Sequence, residues 1–295
     1  MQWYLPVAEE DFPDLGGWIG DLANEFVVWL VVNAGWFFSA ISDGILQPLL
    51  WLEHVLRGAP PWVIVIAFGL IAFIASRNIV TALVIIVVTY LLGALQLWEQ
   101  SMQTIAIMIV AVVISVLIGL PLGILSARSD RFKAALSPLL DLMQTIPSFV
   151  YLIPVAMLFG LGKVPAIIAT VIYATAPLVR LTDLGIREVS ESVTEAARAF
   201  GATRWQMLRG VQLPLALPTI MQGVNQTTMM ALAMVVIASL IGARGVGQTV
   251  MLGLQRNDFG TGLIGGIAIV ILAIIFDRIT QSAGRRLQAH RDIRG

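Results

Sequence analysis

Seven apolar runs fill most of the chain between residues 60 and 280, and they restrict what it can fold into. They lie at roughly 60–76, 79–97, 102–126, 144–161, 164–182, 216–241 and 262–280. The breaks fall at Arg77-Asn78, Glu99-Gln100-Ser101, the segment 126–133, Gly160-Leu161-Gly162-Lys163 and a polar loop over 183–215. A bilayer crossing takes about 20 mostly apolar residues. Hydrocarbon offers no water to backbone N–H and C=O groups, so a crossing segment closes its hydrogen bonds within itself as a helix. Composition agrees: 58% of the 295 residues are hydrophobic and 12% charged, against roughly 25% charged in soluble domains. The expected fold class is all-α, a polytopic helical membrane bundle with about seven transmembrane helices.

Basic residues orient the bundle, because Lys and Arg favour cytoplasmic loops. With 183–215 inside, the inside segments hold Arg77, Arg128, Arg131, Lys133, Arg187, Arg198, Arg204, Arg209, Arg285, Arg286, Arg291 and Arg294. The outside segments hold Arg57, Lys163, Arg244 and Arg256. The N-terminus then lies outside and the C-terminus in the cytoplasm. Arg180 and Arg278 fall at inner ends of spans, where a long side chain can reach the headgroups.

Three regions follow: an N-terminal region over 1–59, a transmembrane domain over 60–282 and a basic cytoplasmic tail over 283–295. The first 25 residues include Glu9, Glu10, Asp11, Asp14, Asp21 and Glu25, with no Lys or Arg. A signal peptide starts basic, so none is expected. Trp18, Trp29, Trp36 and Trp51 recur through 18–54, and tryptophan favours the membrane interface. This stretch reads as one or two amphipathic helices on the outer surface. The rival reading is an eighth span, which would put the acidic tail inside.

Several function classes drop out. Zero formal net charge gives no basic footprint for nucleic acid. Cysteine is absent, His54 and His290 are the only histidines and lie far apart in sequence, and no H-E-x-x-H string occurs, so no metal site and no metalloprotease is expected, and no catalytic residue is singled out. No G-x-x-x-x-G-K-[ST] string occurs. Gly160-Leu161-Gly162-Lys163-Val164 lacks the first Gly at its required position and the hydroxyl after Lys.

Loop 183–215 has its own local logic. Ser192 with Glu195, and Thr203 with Gln206, stand at capping-box spacing. Gly201 between them suits a left-handed C-terminal cap. Pro214 and Pro218 mark the return to the membrane. The expectation is two short helices set at an angle by a glycine turn. Ala196, Ala197 and Ala199 give a low-profile face, while Phe200 and Trp205 offer apolar anchors of the kind that dominate interfaces. Such loops also serve as plain connectors, and local chemistry alone leaves that reading open.

The spacing is more specific. Glu195-Ala196-Ala197 is followed by three residues, Gly201, nine residues, Val211, one residue and Leu213-Pro214. This resembles the EAA loop of ATP-binding-cassette importer permeases, with Val211 where Ile is usual. WEQSMQTIAIMIV (98–110), LDLMQTIPSFVYLIPVAMLFGLG (140–162) and the stretch 213–248 resemble the glycine betaine/proline, or osmoprotectant, branch. The resemblance implies a type I importer permease fold in a bacterial cytoplasmic (inner) membrane. It implies that Glu195, Ala196, Ala197, Phe200, Gly201, Arg204 and Trp205 dock an ATPase. It implies as partners a second permease copy, two ATPase subunits and an external solute-binding protein. ATP and Mg²⁺ would be held by the ATPase, and no cofactor by this chain. The alternative, an ion-gradient-driven secondary transporter, uses mid-membrane carboxylates or broken helices, whereas carboxylates here fall near span ends.

Two polar clusters are candidates for lining a pathway. Gln144, Thr145, Pro147, Ser148, Tyr151 and Pro154 lie in the fourth run. Prolines there free backbone carbonyls that a partner or wet cavity must satisfy, although a kinked packing helix would look the same. Asn225, Gln226, Thr227 and Thr228 form the second, for which interhelical hydrogen bonding is the plainer role. Arg180 and Asp183, three apart, can pair on one helical face. Gly119/Gly123 and Gly262/Gly266 allow close helix contact.

Overall fold

The structure, a computed structural model, describes residues 15–292, with side chains to Gly284. The acidic residues up to Asp14 and the basic side chains from Arg285 onward lie outside the described residues. All regular structure among the described residues is helical: α1 (Leu15–Gly58), α2 (Pro61–Ser76), α3 (Ile79–Ala94), α4 (Trp98–Arg128), α5 (Asp130–Thr145), α6 (Leu152–Phe159), α7 (Lys163–Arg187), α8 (Glu191–Ala199), α9 (Arg204–Met207), α10 (Leu213–Ile237), α11 (Val246–Gln255) and α12 (Phe259–Asp292).

The centre is a three-helix stack in which α7 packs between α4 and α10. Residues 174–179 of α7 are all buried. Small residues allow this. A Cβ on Gly123 of α4 would sit 2.5 Å from Thr182 Cβ, and one on Gly223 of α10 would sit 3.2 Å from Leu178 Cα. Lipid supplies little hydrophobic drive between helices, so close van der Waals contact holds them. Thr227 adds a buried bond, its Oγ1 donating to the Ala174 carbonyl across α10 and α7 at 2.8 Å. The α2–α3 hairpin and α12 flank this stack, with Phe68 and Phe276 edge to face at 6.4 Å. The Gly119/Gly123 expectation is met on α4. The Gly262/Gly266 pair divides: a Cβ on Gly253 of α11 would meet Gly262 N at 2.5 Å, but nothing lies within 4 Å of one on Gly266.

Five helical units are long and apolar enough to cross a bilayer: 15–58, 98–128, 163–187, 204–241 and 259–284. The helices α2 and α3 have 16 residues each, or about 24 Å of rise against a hydrocarbon core near 30 Å. They turn at Arg77 (φ 53°), and the Asn78 side chain caps α3 by accepting from the Val80 N–H at 2.8 Å.

The expected continuous span over 144–161 is not present. Residues 148–151 form a 3₁₀ turn and 152–159 the short α6, bent 107° from α5. Pro147 is the physical cause: it lacks an N–H and biases Ile146 to extended backbone (φ −68°, ψ 129°), which ends α5. The segment 126–133, read as a break between spans, ends α4 at Arg128 and begins α5 at Asp130. Ser129 caps it by accepting from the Phe132 N–H at 3.2 Å. Helix α11 was also missed, because a 10-residue helix falls below the length at which apolar runs signal a span. Over 18–54, where one or two surface helices were expected, the chain forms α1, interrupted at Ala34 (φ −120°, ψ 16°). None of its most apolar 18-residue window is buried in the protomer, and that window meets the length and composition of a span.

Candidate coupling site

The site is mounted on an ionic bracket where α4 and α7 end and α5 begins. Asp183 of α7, its side chain 9% exposed, accepts from Lys133 Nζ at 2.7 Å and from Arg187 Nε at 2.8 Å. Arg187 also donates from Nη1 to Asp130 Oδ1 and from Nη2 to the Ser126 carbonyl, both at 2.7 Å. One guanidinium thus joins three helices. The expected Arg180–Asp183 pair does not form: Arg180 bonds Asp141 of α5 instead. The i,i+4 spacing of Asp183 and Arg187 was readable in the sequence, but the partners from α4 and α5 were not. Arg128 extends the bracket, its Nη2 donating to the Arg204 carbonyl at 2.9 Å.

Helix α8 follows α7 after residues 188–190 and packs on the 208–212 turn and α9, with Thr194 its one buried residue. The helix ends in a full Schellman turn. The Gly201 N–H bonds the Arg198 carbonyl at 2.8 Å and the Ala202 N–H bonds the Ala197 carbonyl at 3.1 Å, with Gly201 at φ 82°. That left-handed conformation is costly for any residue with a Cβ. Thr203 then caps α9. Its Oγ1 accepts from the Gln206 N–H at 3.3 Å, while Gln206 Oε1 accepts from the Thr203 N–H at 2.9 Å. The second expected capping box is therefore present and the first is not. Helix α8 starts at Glu191 with Ser190 at the N-cap, so Ser192 already lies inside the helix, 2.8 Å from the Ser190 hydroxyl. The second short helix is not a separate element either. It passes through a π turn over 208–212 into α10, forming one unit over 204–241. The Leu213 N–H reaches back to the Leu208 carbonyl. The wider turn gives the Pro214 ring room against the carbonyl four residues earlier, where an α-turn would clash.

The coupling candidates are thereby brought together around one turn. Phe200 is 92% and Trp205 59% exposed. Glu195, Ala196 and Arg204 are exposed, and Ala197 is half-buried. The Arg209 guanidinium lies 5.9 Å over the Trp205 ring, within cation–π range.

The pathway candidates fall in two places. Gln144 and Thr145 end α5, Pro147 and Ser148 make the bend, and Tyr151 follows it. The Tyr151 hydroxyl donates to the Leu142 carbonyl at 3.3 Å, and its ring lies 6.3 Å from Tyr173. The bend packs on α7 and α10. On α10, Asn225 Nδ2 donates to Asp277 Oδ1 at 3.3 Å and Asn225 Oδ1 accepts from Thr280 of α12. The hydroxyl of Thr228 bonds its own helix at Val224, and Gln226 is exposed. Asn225 and Thr227 are thus interhelical links.

Residues 119–289 match the family described as "Binding-protein-dependent transport system inner membrane component". The chain is 46% identical over 275 residues to the glycine betaine/proline betaine permease protein ProW of Escherichia coli, covering 92% of this chain and 75% of that one. It is 44% identical over 260 residues to the glycine betaine/carnitine permease protein GbuB of Listeria monocytogenes, covering 86% and 91%. Its fold matches a permease chain in an inward-facing structure of the MetNI methionine ABC transporter, with a TM-score of 0.56 and 25% identity, over 65% of this chain and 95% of that one. With its helical bundle and its bracketed EAA loop, the chain belongs to the inner membrane components of binding-protein-dependent transport systems, the permease subunits of ATP-binding-cassette importers.

Proposed function

We propose that this permease imports a glycine betaine-type compatible solute, and that the turn around Gly201 is where an ATPase subunit drives it. The observation that carries the coupling role is the exposure of Phe200 and Trp205 on either side of the Gly201 turn, in the loop that leaves α7 just past the Asp183–Arg187 bracket. Two large apolar side chains held out beside a rigid turn suit a groove on a partner. The bracket at the end of α7, where the loop begins, would transmit a displacement instead of absorbing it. In this reading Glu195 pairs with a basic group on the ATPase, and Ala196 and Ala197 let the helix seat closely.

The coupling end faces the cytoplasm, consistent with its basic residues. The chain itself is non-catalytic, with ATP and Mg²⁺ bound by the ATPase. Two permease copies pair, matched by two ATPase subunits, and an external binding protein delivers the solute. ProW and GbuB, by their names, transport glycine betaine, which supports the solute class. The α5–α6 bend carrying Gln144, Thr145, Pro147, Ser148 and Tyr151 is the proposed pathway lining, because a broken helix presents backbone carbonyls to a cavity. Gln226 joins it from α10.

Glu195→Lys or Gly201→Asp is expected to weaken co-purification of the ATPase and abolish betaine uptake, with membrane insertion intact. Normal uptake in both variants would overturn the coupling assignment. Substrate competition for the cognate binding protein tests the solute class separately.

A further inference from the structure

A cleft of about 720 Å³ lies beside the coupling helix, lined by Arg128, Arg198, Ala202, Arg204, Met207 and Gln212. Three arginines from α4, α8 and α9 border one space, and the Arg128 guanidinium spans it to the Arg204 carbonyl at 2.9 Å. Among the described residues none of them has a carboxylate within ion-pair distance. Asp130 and Asp183 are engaged by Arg187 and Lys133, and Asp141 by Arg180. Glu191 and Glu195 do not line the cleft. Like charges gathered without a counter-charge repel one another, and a bound anion removes that cost.

We propose that this cleft holds the phosphate headgroup of an anionic phospholipid from the leaflet at the coupling end. Guanidinium forks match phosphate oxygens in pairs. The depth is right: Arg128 ends the apolar α4, and Met207 and Gln212 lie on the first turns of the helix that enters the bundle. Basic pockets between membrane helices at the cytoplasmic side are suited to lipid headgroups. Helical phase turns Arg198 away from the docking face, whereas Arg204, one of the proposed docking residues, borders both. At about 100° per residue, Arg198 sits about 40° from buried Thr194, whereas Phe200 lies about 120° and Ala196 about 160° away. An ATPase reaches the Phe200 face, and a lipid reaches the other from the membrane. A bound headgroup ties α8 to the ends of α4 and α10. The inference does not depend on the solute, and because Arg204 is shared with the proposed ATPase contact, Arg128 and Arg198 carry it independently of that contact.

Native mass spectrometry of the purified full-length chain, titrated with phosphatidylglycerol or phosphatidylcholine, tests it. Phosphatidylglycerol is expected to be retained preferentially. Each of Arg128→Gln, Arg198→Gln and Arg204→Gln is expected to weaken retention about fivefold, and the triple variant about 100-fold. Arg244→Gln, at the opposite end, leaves retention unchanged. If the triple variant does not insert, Arg198→Gln on the exposed α8 carries the test alone. Equal retention by wild type and triple variant overturns the proposal, as does equal binding of the two lipids. Displacement of the lipid by inorganic phosphate would show a free-anion site instead. Unchanged lipid retention with loss of the ATPase would assign the cleft to an acidic segment of that partner.

Discussion

At the coupling end of the bundle one carboxylate, Asp183, holds two cations, and one of those cations reaches two further groups. The opposite end is tied by separate single bonds. The Gly162 N–H donates to the Ile241 carbonyl at 2.9 Å, the Val246 N–H to Thr104 Oγ1 at 2.9 Å, and Lys163 Nζ to Glu53 Oε2 at 2.7 Å. Both ends tie α4 and α7 to their neighbours, but they differ in how they fail. A shared network resists until a member is removed and then loses several bonds at once. Independent links give way one at a time. Stiffness is thus concentrated where the proposed force enters. The opposite end, with Gly162 at φ 119° in the turn that leads into α7, is free to rearrange link by link.

The largest expected effect lies in the network. Asp183→Ala leaves Lys133 and Arg187 without their shared carboxylate. Removing one member of a buried pair costs 3–5 kcal/mol, and the partial exposure of Lys133 and Arg187 reduces this to about 2–3 kcal/mol. Thermal unfolding of the purified protein in detergent reads it. Next comes Thr104→Val at the opposite end, which removes the acceptor of a buried N–H and is expected to cost about 1–2 kcal/mol. If Thr104→Val destabilises as much as Asp183→Ala, the contrast between the two ends fails. The smallest is Thr203→Ala, which deletes the α9 cap for about 1 kcal/mol. That change should lower proteolytic resistance around Gly201 while leaving the bundle's unfolding temperature nearly unchanged. A large shift in unfolding temperature would mean that the loop is part of the core instead of a projecting element.

The long spans were legible because apolar runs such as 102–126 and 262–280 have no other use in a chain of this composition. The EAA spacing singled out the loop to which the coupling role is assigned by proposal, and the Thr203–Gln206 cap and the Gly201 turn formed as their local chemistry required. The bend at Pro147 was harder to read, because the proline was visible but its consequence depended on where α5 and α6 could pack. The Ser192–Glu195 spacing misled for a related reason. A capping box is a local option, and the chain entered α8 two residues earlier. The continuous passage of α9 into α10 could not be read either, since Pro214 looks like a boundary until a π turn makes room for it.

By itself the sequence determined that the chain is a helical membrane protein, where its long spans run, and which loop projects from them. Those properties depend on hydrophobic length and on short-range hydrogen bonds, and both are written in neighbouring residues. Tertiary structure alone decided that Arg180 pairs with Asp141 and not Asp183, that Arg187 reaches Asp130 and Ser126, and that Arg128, Arg198 and Arg204 border one cleft. Residues as far apart as 57 and 76 positions meet in those contacts. Their distances are set by how closely α4 and α10 approach α7 at Gly123 and Gly223, which no local pattern encodes.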